Sequence, residues 1–87
     1  IADNLNSIGN SYFELGEFDN AKVKYFAALK MQREIYQDNP HPSTAGSLIG
    51  LGNVYSSLGQ FDLAVKQYSS SWSIQKKIYG KNTPHPD

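Results

Sequence analysis

The chain has 87 residues with eight basic and eight acidic side chains, no cysteine, four prolines and seven glycines. This size suits one small domain or a segment of a larger protein, and the absence of cysteine excludes disulfide and thiolate chemistry. A formally neutral chain gives no electrostatic reason to expect a nucleic acid or an anionic membrane as the partner. The sequence has neither a long apolar run nor a secretory signal, so we expect a cytoplasmic protein without a membrane segment.

The sequence repeats itself at an offset of 43 residues. Residues 2–36 aligned on 45–79 give fourteen identities in thirty-five positions. The motif Pro-His-Pro at 40–42 recurs at 84–86, an offset of 44, so the linker has gained one residue and the unit none. We therefore divide the chain into repeat one (1–42), repeat two (43–84) and the start of a third repeat (85–87), and we expect the segment to be cut from a longer array.

The first part of each repeat has the apolar spacing of a helix. Apolar residues step by three and four along one helical face, at Leu5, Ile8, Tyr12 and Leu15 in repeat one and at Leu48, Leu51, Tyr55 and Leu58 in repeat two. A glycine follows each series, Gly16 and Gly59, and glycine adopts the left-handed conformation that ends a helix without steric cost. The pattern predicts a first helix that ends at Leu-Gly in both repeats.

A second helix is predicted to begin near Phe18 and near Phe61, with an acidic residue in its first turn. It runs for about eighteen residues and ends before the proline-containing linker. The small residues Gly9, Gly52, Ala21 and Ala64 mark places where two helix axes cross closely. Each repeat is thus a helical hairpin, and the two hairpins must stack because neither buries its apolar faces alone.

These residues resemble the tetratricopeptide repeat. The signature positions are matched by Leu5, Ile8-Gly9, Tyr12, Ala21, Tyr25 and Ala28 in repeat one and by Leu48, Leu51-Gly52, Tyr55, Ala64, Tyr68 and Ser71 in repeat two. The resemblance implies an all-α fold of two antiparallel hairpins in a right-handed α-solenoid. The length of 42 to 44 residues and the His-Pro start are similar to the repeats of kinesin light chains. The departures are the missing Trp at the first bulky position, Ser71 in place of Ala, and the absence of a proline at the usual end of the second helix.

The resemblance implies a protein-binding scaffold whose first helices line a concave groove. Neither first helix contains Lys or Arg, which excludes the carboxylate clamp by which some members hold a peptide C-terminus. Asparagine carries a donor and an acceptor, so asparagines in the groove suit the backbone of an extended peptide. The predicted groove residues are Asn6, Asn10, Phe13, Ile49, Asn53 and Ser56.

Each of these features also has a purely structural interpretation. In that interpretation Asn10 and Asn53 bond only a neighbouring helix or water, and Gly46 and Gly50 reflect either a close approach to the backbone or neutral drift. The aromatic residues of both repeats serve packing rather than a stacking platform, and the basic residues of the second helices form a solvated face. His41 and His85, each between two prolines, are expected at turns and helix starts rather than at a metal.

No catalytic motif, phosphate-binding loop, metal-binding spacing or cofactor motif is present, so the sequence predicts a non-catalytic protein. A protein or peptide partner is expected. The alternatives are a structural spacer or self-assembly surface and a regulatory repeat domain of a larger signalling protein. The face around Ala64, Tyr68 and Trp72 has no following repeat to cover it, which predicts self-association of the isolated fragment.

Overall fold

The computed structural model describes residues 2–37 and 39–79, which form four α-helices. These are α1 (Ala2–Glu14), α2 (Phe18–Tyr36), α3 (Pro42–Ser57) and α4 (Phe61–Tyr79). The predicted all-α architecture is confirmed: α1 packs on α2 and α3 on α4 as two hairpins, and α3 also contacts α1 and α2. The start of the third repeat lies outside the described residues. None of these helices combines the length and the apolar character that a membrane span requires.

The glycine at the end of each first helix has the predicted role. Gly16 has a φ of +80°, and the amide of Glu17 after it donates to the carbonyl of Tyr12 at 2.9 Å. Gly59 repeats this turn with a φ of +78°. A left-handed residue lets the chain reverse while the last carbonyls of the helix keep hydrogen-bond donors. Both hairpin turns therefore follow from the Leu-Gly pairs of the sequence.

The linker between the hairpins is held by His41. Its Nδ1 accepts a hydrogen bond from the backbone amide of Ser43 at 3.1 Å, and Pro42 occupies the first turn of α3. The imidazole also stacks on the ring of Tyr36 with centroids 3.9 Å apart. The predicted helix-start role of His41 is confirmed, whereas His85 lies outside the described residues.

The contact between the hairpins centres on Tyr25 of α2. Its ring is 1% exposed and lies between Gly9 of α1 and Gly50 of α3. A β-carbon would come within 2.9 Å of this ring at Gly9 and within 2.4 Å at Gly50, closer than non-bonded carbon atoms can approach. The alanines one helical turn to either side of Tyr25, Ala21 and Ala28, are fully buried. One aromatic ring thus fills the space between three helices.

This arrangement explains Gly50 of α3 but not Gly46. The group that approaches Gly50 is the ring of Tyr25 from the preceding hairpin, so neither neutral drift nor a groove ligand is needed to explain it. Gly46 is exposed, and the nearest side-chain atom to its would-be β-carbon is Nδ2 of Asn6 at 4.0 Å. Packing therefore requires a glycine at position 50 but leaves room for a side chain at position 46.

The other signature residues differ in how deeply they are buried. Ala21, Gly9, Gly52, Tyr55 and Ala64 are buried, Tyr12 is half-buried, and Gly16 and Gly59 are exposed at the helix ends. Ser71, the departure from the family pattern, is 2% exposed, and its hydroxyl donates to the carbonyl of Ala45 at 3.0 Å. A serine is accepted at this buried position because its hydroxyl finds an acceptor on α3.

Gly46 and Gly50 of α3 provide a matched test of this packing. We expect Gly50→Ala to lower the free energy of unfolding by about 1–3 kcal/mol, because the added methyl group overlaps a ring that cannot move away. Gly46→Ala should raise the free energy by about 0.5–1 kcal/mol, because alanine favours a helix and the position is open. Urea unfolding followed by circular dichroism measures both variants, and equal effects would contradict the central role of Tyr25.

Candidate peptide-binding groove

The six residues of the predicted groove all lie on α1 and α3, which contact each other. None belongs to the buried class: Asn10, Ile49 and Asn53 are exposed, whereas Asn6, Phe13 and Ser56 are half-buried. Phe13 also packs against Phe18, with the two ring centroids 5.6 Å apart, and lies against the core.

Asn10 and Asn53 have the same environment in the two repeats. The carbonyl oxygen of Asn10 accepts a hydrogen bond from the phenol of Tyr25, and that of Asn53 accepts one from Tyr68 at 2.5 Å. The amide nitrogens have no protein partner among the described residues. Each phenol therefore holds an exposed asparagine by its acceptor end and leaves its two N–H donors available. The neighbouring-helix interpretation of these asparagines holds for the oxygen only.

Asn6 has a different role, since both ends of its amide face repeat two. Its oxygen accepts from the hydroxyl of Ser47 at 2.7 Å, and its nitrogen lies 3.4 Å from the carbonyl oxygen of Ser43. Asn6 thus bonds across the junction between the hairpins, and its donor is less available to a peptide than those of Asn10 and Asn53.

A polar cluster surrounds this junction, and the apolar periodicity of the sequence does not predict it. Gln32 of α2 and Ser47 of α3 are 1% and 0% exposed, with Gln32 Oε1 3.1 Å from the hydroxyl of Ser47. The Gln32 amide nitrogen donates to the hydroxyl of Ser43 at 2.9 Å, and that hydroxyl donates to Asp3 at 2.5 Å. The available signal was the recurrence of a glutamine at the same position of both repeats, at 32 and 75.

The two faces of the segment differ in charge. No Lys or Arg lies on α1 or α3, whereas the basic residues of the described part lie on α2 and α4. A cleft of about 490 Å³ is lined by residues of α2, α3 and α4, among them Lys30 and Arg33. Neither forms an ion pair with a carboxylate of the described residues, where the recorded pair is Lys22 with Asp19 at 3.8 Å. The candidate groove is therefore the face without basic side chains.

Metal and acid–base chemistry find no support in the described part of the chain. Residues 2–37 and 39–79 contain no group of three or more His, Asp or Glu side chains placed to hold a metal ion. Burial raises the phenol pKa of Tyr25 above the usual 10.0, because it disfavours the phenolate. This shift follows from the packing of the ring between Gly9 and Gly50.

The raised pKa of Tyr25 predicts a loss of stability at alkaline pH. The folded state keeps a proton that the unfolded chain releases above its usual pKa of 10.0, so the stabilisation is complete below that value and is lost as the pH rises from there through the raised pKa of the folded state. We expect the free energy of unfolding to fall by up to about 1.4 kcal/mol per pH unit in this range. Denaturant unfolding between about pH 9 and 11 measures the slope.

Two variants isolate this contribution. Tyr25→Phe removes the ionisable phenol, so its free energy of unfolding should decline less steeply with pH. Tyr68→Phe loses the equivalent hydroxyl of repeat two and should keep the decline that Tyr25 causes. Equal slopes for the parent and Tyr25→Phe would rule out Tyr25 as the source.

Comparison with known proteins supports the resemblance found in the sequence. The family model described as tetratricopeptide repeat matches residues 1–77, which include all four helices except the last two residues of α4. No curated protein and no solved structure gave a match. The family match covers most of the chain and agrees with the two stacked helical hairpins. The chain belongs to the tetratricopeptide repeat family.

Proposed function

We propose that this chain is a non-catalytic protein-interaction module that binds an extended peptide segment of a partner protein along α1 and α3. Tetratricopeptide repeats generally mediate protein–protein interaction, which provides the general class. The specific proposal concerns the groove and the donors within it.

The observation that carries this proposal is the repeated asparagine–tyrosine pair. Asn10 and Asn53 occupy equivalent positions one repeat apart, and each is held at its oxygen by a phenol while its nitrogen has no partner within residues 2–37 and 39–79. A peptide that crosses both repeats meets an N–H donor on each, at the spacing of the helical stack. Because the phenols already orient the amides, binding loses less side-chain entropy than it would with free asparagines.

The charge and the apolar residues of the groove limit the class of peptide that it can bind. Without Lys or Arg on α1 and α3, the groove has no cation for a terminal carboxylate, so the ligand is an internal segment that offers backbone carbonyls. Phe13 and Ile49 add partly exposed apolar surface beside the two amides. We infer a neutral, extended segment with apolar side chains as the ligand class.

A structural role in assembly is the rival proposal. It rests on the apolar side chains that α4 leaves exposed, among them Val65 and Trp72, each 60% exposed. This role makes no use of the amide nitrogens of Asn10 and Asn53, so substitutions there distinguish the two proposals.

The test replaces each asparagine by aspartate in the double variant Asn10→Asp, Asn53→Asp. Aspartate keeps an oxygen that accepts from the tyrosine and removes both N–H donors. Each lost hydrogen bond is expected to cost about 0.5–1.5 kcal/mol, or roughly 2- to 10-fold in Kd, with little change in melting temperature. The ligand is a peptide selected with the parent chain from a displayed library, and fluorescence anisotropy measures its affinity.

Two controls accompany this variant. Asn39→Asp adds a negative charge in the exposed linker and should leave the affinity unchanged. Lys30→Glu with Arg33→Glu alters the cleft that α2, α3 and α4 line. Loss of binding only in this second control would indicate that the peptide binds at the cleft lined by Lys30 and Arg33 instead of the groove. The absence of any selected peptide would favour the assembly role.

A further inference from the structure

The side of repeat two that faces away from repeat one carries the same two side chains that hold the hairpins together. Tyr25 and Gln32 of α2 are each 1% exposed because α3 covers them. Their equivalents on α4, Tyr68 and Gln75, stand 43 residues later; Tyr68 is 37% exposed and Gln75 is exposed. We call Tyr68, Trp72 and Gln75 the outer side of α4.

Three residues of α3 show what such a side contacts. Gly50 receives the ring of Tyr25, because a β-carbon there would lie within 2.4 Å of it. The hydroxyl of Ser43 accepts from the buried amide nitrogen of Gln32 at 2.9 Å, and the hydroxyl of Ser47 lies 3.1 Å from the amide oxygen. These residues are spaced by four and by three, so they form one stripe on the helix, Ser-x3-Ser-x2-Gly.

We propose that the outer side of α4 binds the first helix of a further helical hairpin that carries the stripe Ser-x3-Ser-x2-Gly. Tyr68 selects the glycine because any larger residue overlaps its ring, as at Gly50. Gln75 selects the serines because a glutamine amide that becomes buried needs a donor and an acceptor opposite it. The proposed contact continues the one between α2 and α3 and is independent of the peptide groove.

The equivalence of Trp72 and Leu29 supports the same conclusion. Leu29 of α2 packs against the core, whereas Trp72, at the same position of α4, is 60% exposed with its ring beside the Lys76 ammonium at 4.9 Å. A helix placed on α4 as α3 lies on α2 therefore covers an indole ring that is now in water. Trp72 is the one tryptophan of the chain, so its fluorescence reports the docking.

A second copy of this chain is a poor occupant in this register. At the offset of 43 residues, α1 places Ser7 where α3 has Gly50, and Asn4 where α3 has Ser47. The β-carbon of Ser7 would meet the ring of Tyr68, and the larger asparagine would replace the small serine hydroxyl beside Gln75. The self-association expected from the sequence therefore requires a contact other than the one between α2 and α3.

The experiment extends the chain by one hairpin. Residues 43–79 are appended after Pro86, with Trp72→Leu in the added copy so that the original tryptophan alone reports. We expect Trp72 emission to shift to the blue and the melting temperature to rise by roughly 5 °C in a single transition. The matched fusion carries Ser47→Asn and Gly50→Ser in the added copy, the residues that α1 has there, and should show neither change.

A third fusion guards against a hairpin that simply fails to fold. Tyr68→Ala in the original repeat two removes the ring that rejects a larger residue, so Gly50→Ser alone in the added copy should cost less melting temperature than it does opposite Tyr68. Equal costs in the two backgrounds, or equal blue shifts for the first two fusions, would overturn the proposal. A concentration-dependent blue shift in the unfused chain would also overturn it, because a second copy would then cover the outer side of α4.

Discussion

The ring of Tyr25 between two glycines is the contact on which the rest of the structure depends. It belongs to the second helix of one hairpin and touches the first helix of both hairpins, at Gly9 and at Gly50. Such a ring contributes a large buried apolar surface, and the missing β-carbons let the helices come close enough to bury it. A single side chain thus joins folding within a repeat to stacking between repeats.

The polar cluster around Gln32 adds specificity to that apolar contact. A buried amide costs free energy unless its donor and its acceptor are both satisfied, and here Ser43 and Ser47 of α3 lie within hydrogen-bond distance of them. A slip of α3 by one turn would separate these groups while leaving apolar surface in contact. The glutamine and the serines therefore specify the register, whereas the tyrosine and the glycines supply the close packing.

Packing and recognition share the same tyrosines. The rings of Tyr25 and Tyr68 pack against glycines. Their hydroxyls donate to the carbonyl oxygens of Asn10 and Asn53. The exposed amides are therefore positioned by tyrosines of the neighbouring helices α2 and α4 rather than by a loop. A module built this way can present donors at fixed positions without any charged residue in the groove, which separates the neutral face from the basic face of α2 and α4.

The sequence by itself determined the four helices, the glycine turns such as Gly16, and the stacking of two hairpins. These follow from apolar periodicity, local backbone preference and the internal repeat, all of which act over short stretches of chain. Only the tertiary structure decided that Gly50 serves packing, that Asn6 bonds across the junction and that Gln32 is buried. Those outcomes depend on which side chain from a helix tens of residues away lies opposite, and periodicity along one helix does not contain that information. For the same reason Tyr25 and Tyr68, which occupy equivalent positions of the two repeats, differ in burial: the ring of Tyr25 lies between Gly9 and Gly50 on two helices, whereas that of Tyr68 meets Gly52 of α3.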